Sequence, residues 1–305
     1  MSLPIVHLYV TAQFDQGFDK PEYAGSLLRG QFGRMLKKRL CLLKDTPCNE
    51  CSLYNHCSVP ALFDAPGPNQ PVPYVIHDPL WGAMHIPPGM PWRFRHTLIG
   101  HRAIQHIPLV VQIWDRVFRQ GLGAPSNTGR IVQVEDSSGQ VIATAHSTGV
   151  RLVADTPVTR LKKCPNLPSD WRITLHTPLR LFFKKQRIMP QQFKPEHFCK
   201  SLWHRLHALA HAYEELQAHL DLSDTLRQHL FTTPVEVKTL AWRKWQRFST
   251  RQQAYQDMSG LVGQLQLHIQ HPAVKELIWL GAQVHIGKNT TFGLGAYETA
   301  HADCL

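Results

Sequence analysis

The stretch "HIGKNTTFGLGAY", residues 285–297, places three glycines between a predicted helix at 272–280 and a predicted strand near 294–299. A helix leading into a strand is the last step of a ferredoxin-like order, so this stretch supplies the loop of that step. Glycines let a backbone approach a phosphate and point N–H groups at it, while a lysine adds charge and a histidine can exchange a proton near neutrality. The predicted phosphate-binding residues of the loop are Gly287, Asn289, Thr290, Gly293 and Gly295.

The Gly-Lys pair at 287–288 also matches the end of a nucleotide-binding P-loop, but the rest of that motif is missing. Five residues rather than four separate Gly281 from the second glycine, and Asn289 stands where the magnesium-binding hydroxyl belongs. A helix should follow, yet residues 292–295 contain two glycines. The sequence therefore disfavours an NTPase. The plainer alternative is a connection that uses glycine only for left-handed turns, with its histidine and lysine in solvent.

Outward from this loop, the two halves of the chain show the same order of elements. In the first half we predict strands at 3–10 and 92–99, helices at 22–40 and 102–120, and a hairpin at 129–148. In the second half we predict strands at 171–183, 235–247 and 261–269 and a helix at 196–220, ahead of the helix and strand already described. The fold class is α+β: two tandem ferredoxin-like (RRM-like) domains, each an antiparallel sheet packed on two helices. The predicted domains are 1–160 and 165–305, although no internal sequence repeat marks the duplication.

The stretch "WRKWQRFSTR", residues 242–251, interleaves aromatic residues with four cations. Single-stranded RNA recognition requires this combination, because cations contact phosphates and rings stack on bases. Arg243, Lys244 and Arg247 are the predicted RNA-binding residues here. The alternative is a strand whose aromatic residues enter the core while its cations reach into solvent. That alternative does not explain why one face is so basic.

The overall composition agrees with a polyanionic partner. The 305 residues carry a formal net charge of +11, and 43% are hydrophobic, which suits a globular nucleic-acid-binding protein. The N-terminal sequence does not match a signal peptide, and no window approaches the roughly 18 apolar residues of a transmembrane helix. Seven cysteines, an odd number, argue against a disulfide framework. We expect a cytoplasmic protein with no membrane partner.

Five stretches resemble the CRISPR-associated endoribonuclease that processes precursor crRNA: residues 245–251, residues 285–297, "SGLVG" at 259–263, "LRGQFGR" at 28–34 and "TPLRL" at 177–181. That family belongs to the repeat-associated mysterious protein (RAMP) superfamily. The likeness spans most of the chain, and the glycine-rich loop at 281–295 is its most specific mark. It implies two tandem ferredoxin-like domains, and it implies CRISPR repeat RNA or crRNA and other subunits of a CRISPR effector complex as partners.

The resemblance also implies a reaction that needs no metal cofactor. The 2′-hydroxyl next to the scissile phosphate attacks in line and leaves a 2′,3′-cyclic phosphate and a 5′-hydroxyl. The enzyme must deprotonate the nucleophile, stabilise the phosphorane and protonate the leaving oxygen. The residues assigned to these tasks are His285 as general acid or base, Lys288 and Arg251 as phosphorane stabilisers, and Tyr255 to orient the nucleophile.

The first helix carries one departure from the family pattern. Many relatives place a catalytic histidine on or near this helix, but residues 22–40 contain none. The candidates for the general base are then His7, His101 and an arginine. Basic residues of the helix are predicted to bind RNA instead: Arg29, Arg34, Lys37 and Lys38.

Four cysteines lie within an insertion at 41–57 with the spacing C-x(6)-C-x(2)-C-x(5)-C: Cys41, Cys48, Cys51 and Cys57. Four thiolates suit a structural zinc ion, and an iron–sulfur cluster would use the same ligands. The alternative is four reduced thiols. A histidine stripe at His204, His207 and His211 also suits zinc, but solvated histidines explain it without a metal.

The sequence leaves two other functions open. One is a non-catalytic crRNA-binding subunit of a CRISPR effector complex with the same fold. The other is a basic DNA-binding scaffold stabilised by zinc. The three hypotheses differ in whether RNA is cut, only held, or passed over in favour of duplex DNA.

Overall fold

The computed structural model describes residues 3–44, 46–67, 69–153, 158–161, 169–249 and 253–301. The chain divides into two compact units, Met1–Lys162 and Lys163–Leu305. Among the described residues, no helix has the length and apolar character needed to cross a membrane.

The described part of the first unit contains eight strands, six in one main sheet and two in a separate pair. Its strands are β1 (Ile5–Phe14), β2 (Phe18–Lys20), β3 (Tyr74–His77), β4 (Met84–Ile86), β5 (Trp92–Ile99), β6 (Gly129–Glu135), β7 (Val141–His146) and β8 (Gly149–Leu152). Its helices are α1 (Gly25–Leu40), α2 (Ser58–Phe63), α3 (His101–Ile104) and α4 (Ile107–Arg119). The sheet order is β3-β5-β1-β6-β7-β8, and every pair is antiparallel. Helix α1 follows β1 and α4 follows β5, so β1, α1, β3, β5, α4 and β6 form a ferredoxin-like unit.

The helix predicted at 102–120 is two helices in the structure. Helix α3 ends at Ile104, and α4 begins at Ile107 with Pro108 in its first turn. Proline has no N–H and its ring clashes with the carbonyl four residues earlier, so a helix begins at this position more easily than it passes through it. The buried face of α4 carries Trp114 and Phe118, which pack with Phe94 of β5 in an aromatic core.

A buried ion pair positions the start of α1. Lys20 Nζ lies 3.2 Å from Asp78 Oδ2, and both side chains are fully buried. The same carboxylate accepts the N–H of Ala24, the residue ahead of α1, at 3.3 Å. Removing one partner of a buried pair leaves an uncompensated charge and typically costs about 3–5 kcal/mol. The pair therefore fixes where the strand β2 gives way to the helix.

The second unit repeats the ferredoxin-like order. Its strands are β9 (Asp170–Leu179), β10 (Phe182–Phe183), β11 (Gln186–Arg187), β12 (Val235–Arg243), β13 (Gln246–Ser249), β14 (Ala254–Asp257), β15 (Gly260–His268) and β16 (Tyr297–His301). Its helices are α5 (Pro195–Ala212), α6 (Glu214–Gln217), α7 (Asp224–Thr232) and α8 (Pro272–Val284). The main sheet has the order β12-β15-β9-β16, all antiparallel. The predicted α+β class with two ferredoxin-like domains is confirmed.

Two predicted strands of this unit are shorter than expected, because each gives way to a hairpin. The strand predicted at 171–183 ends at Leu179, and β10 then pairs with β11. The strand predicted at 235–247 ends at Arg243, and β13 then pairs with β14. The helix predicted at 196–220 stops at Ala212, since Tyr213 adopts an extended backbone with φ −131° and ψ 92°.

Candidate nucleic-acid interface

The glycine loop that follows α8 folds back on itself. Ile286 donates its N–H to the carbonyl of Gly295 at 3.2 Å, and Gly295 donates to the carbonyl of Pro178 at 3.1 Å. Gly295 has φ +69°, and a Cβ there would lie 1.8 Å from the Ile286 oxygen. No residue with a side chain fits at that distance. The close approach at this glycine is thus made by the protein's own backbone.

Strand β9 holds the loop from the other side. The hydroxyl of Thr177, a buried residue, donates to the Gly293 carbonyl at 2.9 Å and accepts the N–H of Ala296 at 2.9 Å. The N–H of Lys288 donates to the carbonyl of Arg180 at 3.0 Å. The loop is therefore fixed along its length by the end of one strand.

Arg180 joins this loop to the β13–β14 hairpin. Its guanidinium donates to Asn289 Oδ1 in the loop and to the Asp257 carbonyl at 2.9 Å in the hairpin. It also lies 3.4 Å from Met258 Sδ, and the residue is only 8% exposed. Burial and then the neighbouring Arg187 lower the pKa of Arg180, while Asp257 opposes that shift. A guanidinium offers five donors in a rigid fork, which lets one side chain connect two segments.

Two further arginines lie at this junction. Arg187 Nη1 pairs with Asp257 Oδ2 at 2.5 Å. Arg247 Cζ lies 4.6 Å from the ring centroid of Phe292 in the glycine loop. Burial raises the pKa of Asp257, but hydrogen bonds from Ser259 and the Arg187 charge outweigh it and lower the pKa to about 2. The glycine loop and the basic aromatic stretch, separate in sequence, therefore lie side by side.

The tip of the loop offers donors to an anion. The Lys288 side chain is exposed, and its ammonium forms no hydrogen bond or ion pair with any residue the structure describes. The N–H groups of Gly287 and Asn289 likewise have no acceptor within the described segments, and both residues are half-buried. In contrast, Thr290 is buried at 5% exposure.

The remaining predicted residues of the basic stretch differ in exposure. Arg243 Nη1 donates to the His176 carbonyl at 2.7 Å, and Lys244 is exposed. Tyr255 is 73% exposed, with its ring centroid 5.4 Å from that of Phe248 in an edge-on contact. Arg251 lies outside the described residues.

His285 is placed differently from what an acid–base group requires. The residue is fully buried, and its Nδ1 lies 3.3 Å from the Leu294 carbonyl. Its backbone has φ +57°, which is uncommon for a residue with a side chain. The His285 ring packs against the buried side of the loop and does not face solvent. Its role as general acid or base therefore stays a prediction.

Residues 173–297, which include the glycine loop and both hairpins, match a family profile described as CRISPR-associated endoribonuclease Cas6. This part of the chain is a Cas6-like domain. A second profile, described as an N-terminal domain, matches residues 3–157. No curated protein matches the Cas6-like chain.

Solved structures share the fold of the Cas6-like chain at low identity. A partial Cas6-RT-Cas1–Cas2 complex is 12% identical with a TM-score of 0.59, over 99% of this chain and 47% of that one. A Cas6 product complex from Thermus thermophilus is 15% identical with a TM-score of 0.54, over 97% of this chain and 100% of that one. A RAMP protein binding different RNA substrates is 9% identical with a TM-score of 0.52, over 97% and 100%. The Cas6-like chain thus spans about half the length of the first of these chains.

The first unit of the Cas6-like chain presents most of its predicted RNA-binding cations to solvent. Arg34, Lys37 and Lys38 are exposed on α1. Arg29 differs, because its Nε donates to the Tyr74 hydroxyl at 3.1 Å and its Cζ lies 4.3 Å from the Phe63 ring centroid. Arg29 is therefore held by the fold of its own unit.

The two histidines considered as general bases lie in the first unit. His7 is buried at 2% exposure, with Nδ1 at 2.9 Å from Thr97 Oγ1. His101 is exposed, and its Nε2 lies 3.0 Å from Arg160 Nη1. Only His101 presents its ring at the surface of its unit.

All four clustered cysteines line one cavity of about 260 Å³ near the end of α1: Cys41, Cys48, Cys51 and Cys57. Burial, and next the Asp64 carboxylate, raise the pKa of the Cys48 thiol. No group of three or more histidine, cysteine or acidic side chains in the described segments is arranged to hold a metal ion, and this covers the stripe of His204, His207 and His211. Zinc stays a prediction, which metal analysis of the purified protein tests, and no step is assigned to it.

Sequence reasoning missed Arg180, Arg187 and Asp257 as parts of the site. The first lies within the "TPLRL" run, which contributes to the family resemblance without marking this arginine. Its position directly after the last residue of β9 was a usable signal, because a strand end next to a glycine loop is where polar side chains meet. Asp257 carried no signal, since its partners are distant in sequence.

Proposed function

We propose that this chain is a metal-independent endoribonuclease that cleaves CRISPR repeat RNA within precursor crRNA. One observation carries the proposal: Arg180 ties the glycine loop to the β13–β14 hairpin inside the segment matched by the Cas6 profile. The structural relatives include a Cas6 product complex and a RAMP protein that binds RNA, which supports RNA as the ligand.

The tip of the loop suits the scissile phosphate. The exposed ammonium of Lys288 and the N–H groups of Gly287 and Asn289 supply a charge and two dipoles within three consecutive residues. Because the phosphorane carries more negative charge than the phosphodiester, donors fixed at this point stabilise the transition state more than the bound RNA. We further propose that Lys244, which is exposed, and Arg247, which lies against Phe292, contact neighbouring phosphates on the hairpin side.

The reaction we propose is a transesterification. The 2′-hydroxyl oxygen attacks the adjacent phosphorus, the bond from phosphorus to the 5′-oxygen breaks, and a 2′,3′-cyclic phosphate and a 5′-hydroxyl result. The proton lost by the nucleophile and the proton gained by the leaving oxygen balance, so neither water nor an oxidant enters. The exposed phenol of Tyr255 is proposed to orient the 2′-hydroxyl.

The role that we propose for His285 differs from the general acid or base role predicted from the sequence. RNA reaches its ring only if the loop opens, because the residue is fully buried. We therefore propose that it is a positioning residue, which holds the Leu294 carbonyl and with it the loop that carries Lys288.

A non-catalytic crRNA-binding subunit is the second candidate, and a specific observation favours it. The α1 sequence contains no histidine, and the histidine of the glycine loop is buried. Such a protein would hold RNA with the same cations and leave it intact.

The test uses the purified 305-residue chain, CRISPR repeat RNA and excess EDTA. We expect cleavage to a cyclic phosphate, and we expect a repeat with a 2′-deoxy sugar at the cut site to bind without being cut. Lys288→Ala should slow single-turnover cleavage about a hundredfold, as loss of one transition-state donor commonly does. Lys200→Ala is the matched control, since Lys200 pairs with Glu196 on α5.

Each outcome decides between the candidates. Tight binding of intact repeat RNA without cleavage rejects the nuclease and supports the binding subunit. Preference for duplex DNA over repeat RNA rejects both and supports the DNA-binding scaffold.

A further inference from the structure

The hairpin of β10 and β11, residues 182–187 ("FFKKQR"), exposes aromatic rings that a folded unit would ordinarily bury. Phe182 is 41% exposed and Phe183 is 60% exposed. Neither ring belongs to the core of the second unit, and exposing large apolar surface is unfavourable unless a partner covers it. The hairpin is distinct from the predicted RNA-binding stretch at 242–251.

The tip of this hairpin is made from two lysines in a backbone conformation that lysine rarely adopts. Lys184 has φ +46° and Lys185 has φ +66°. Tight hairpin turns with both central residues at positive φ favour asparagine and glycine, which adopt it more easily. Two lysines here cost some local stability, and both are exposed at the turn of the hairpin.

The aromatic rings are accompanied by cations. Lys184 Nζ lies 5.6 Å from the centroid of Phe183. Arg180 Cζ and Arg187 Cζ lie 5.6 Å and 5.8 Å from the centroid of Phe182. The hairpin itself contains no acidic residue. This alternation of rings and positive charge complements a strand of unpaired nucleotides, whose bases stack and whose phosphates are anionic.

The hairpin is also fixed to the candidate site. Arg187 pairs with Asp257 at the end of β14, and its Cζ lies 5.7 Å from the ring centroid of Trp242. Below it, Ile188 is buried and donates its N–H to the carbonyl of Leu181 at 3.0 Å. Two hairpins and the glycine loop therefore share one set of arginine contacts, and Arg180 lies against both Asn289 of the loop and Phe182 of the hairpin.

We propose that the hairpin at 182–187 is a stacking platform for unpaired nucleotides of the RNA, with Phe183 stacking on a base and Lys184 and Lys185 contacting phosphates. The proposal rests on the proposed function, because it deepens the same RNA site with a further binding element. It commits to single-stranded RNA, since base stacking and phosphate contacts together explain the exposed rings and the strained lysine tip. A protein partner would explain the rings alone.

The experiment measures binding of a fluorescent single-stranded ten-nucleotide oligo(U) and of a blunt RNA duplex to the full chain. Phe183→Ala should weaken single-strand binding by about five- to a hundredfold, as loss of one stacked base does, and leave duplex binding unchanged. Phe183→Trp should retain the affinity, because the indole also stacks. Met90→Ala removes an exposed apolar side chain of the first unit and serves as the control. Lys184→Ala should lower the salt slope of single-strand binding by about 0.7.

Three results would overturn the platform. Unchanged single-strand affinity in Phe183→Ala rejects stacking even if the wild-type chain cleaves repeat RNA, in which case the proposed function stands. An equal loss for single strand and duplex points to a general defect rather than stacking. A change in the oligomeric state of Phe183→Ala with RNA affinity intact identifies the surface as a protein interface. Failure of the wild-type chain to bind or cleave repeat RNA rejects the proposed function instead.

Discussion

The cations of the glycine-loop site and those of helix α1 are held in opposite ways. At the loop, Arg180 and Arg187 are fixed by named hydrogen bonds and an ion pair. On α1, Arg34 and Lys37 are exposed, and Lys38 makes only a 3.4 Å contact with Gln120. A cation that the fold holds in place can stabilise negative charge at one position without having to move. A solvated cation mainly raises affinity, because its contact with a phosphate releases counterions. From this difference we expect the loop to act on one phosphate and the helix to contribute general affinity for RNA.

The largest effect should come from removing the fixed cation. Arg180→Ala loses the contacts to Asn289, to the Asp257 carbonyl and to Met258, so the loop and hairpin separate. We expect single-turnover cleavage at saturating RNA to fall several hundredfold, because hydrogen bonds to charged groups contribute about 1.5–3 kcal/mol each. Arg180→Lys should recover little, since an ammonium lacks the fork.

The matched control is Arg227→Ala, an arginine on α7 paired with Asp224. If Arg180→Ala cleaves as fast as that control, the contrast between fixed and solvated cations does not describe this protein.

The two units should also differ in how their stability depends on pH. Burial lowers the pKa of His96 in the first unit to about 3, whereas unfolded histidine titrates near 6.5. Between these values the unfolded chain binds a proton that the folded unit does not, so the stability of the first unit falls as pH falls from about 6.5 toward 3. From pH 6.5 to 5 we expect the unfolding equilibrium to shift roughly fifteenfold, because the unfolded histidine is already half protonated at pH 6.5.

The second unit should respond at lower pH. The pKa of Asp257 is depressed to about 2, so the Arg187 pair is retained above about pH 4 and lost as pH falls through about 2. Urea unfolding of the full chain at pH 7, 6 and 5 checks the order, and His96→Gln should flatten the slope of the first transition. A first unit as stable at pH 5 as at pH 7 would refute the assignment.

Substitution of His285 should reduce the cleavage rate by an intermediate amount. It tests whether this residue positions the loop or transfers a proton. His285→Ala should lower the melting temperature and slow cleavage about tenfold, because the Leu294 carbonyl loses its partner. His285→Asn keeps a donor near the same place, so it should restore most of the rate with an unchanged pH profile. Loss of the rate in both variants, with a shifted pH profile in the asparagine variant, would return His285 to its predicted acid–base role.

Removing an exposed cation of α1 should have the smallest effect. Arg34→Ala or Lys37→Ala should weaken repeat RNA binding about threefold and reduce the slope of log affinity against log salt by about 0.7 to 0.9. The cleavage rate at saturating RNA should not change, since these groups do not act on one phosphate. A fall in that rate with unchanged affinity would mean that α1 takes part in the chemistry.

The order of strands and helices was predictable because alternating and helical hydrophobic periods mark each element separately. The hairpins were not, since the residues after Leu179 and after Arg243 favour extended structure whether or not they stay in the sheet. The predicted loop cation Lys288 is exposed, whereas His285 is buried because the backbone folds back so that its ring meets the Leu294 carbonyl. Hydrophobic periodicity does not predict this folded-back backbone. The role of Arg180 was also not predictable, because its partners lie 77 and 109 residues away in sequence.

A Cβ at Gly295 would lie only 1.8 Å from the Ile286 oxygen, and this lack of space also limits which substitutions the chain can accept. Even one methyl group would force the two backbone segments apart, so no graded series of substitutions leads through intermediate loop shapes. Related sequences are therefore expected either to keep glycine at this position or to lose both the loop and its function.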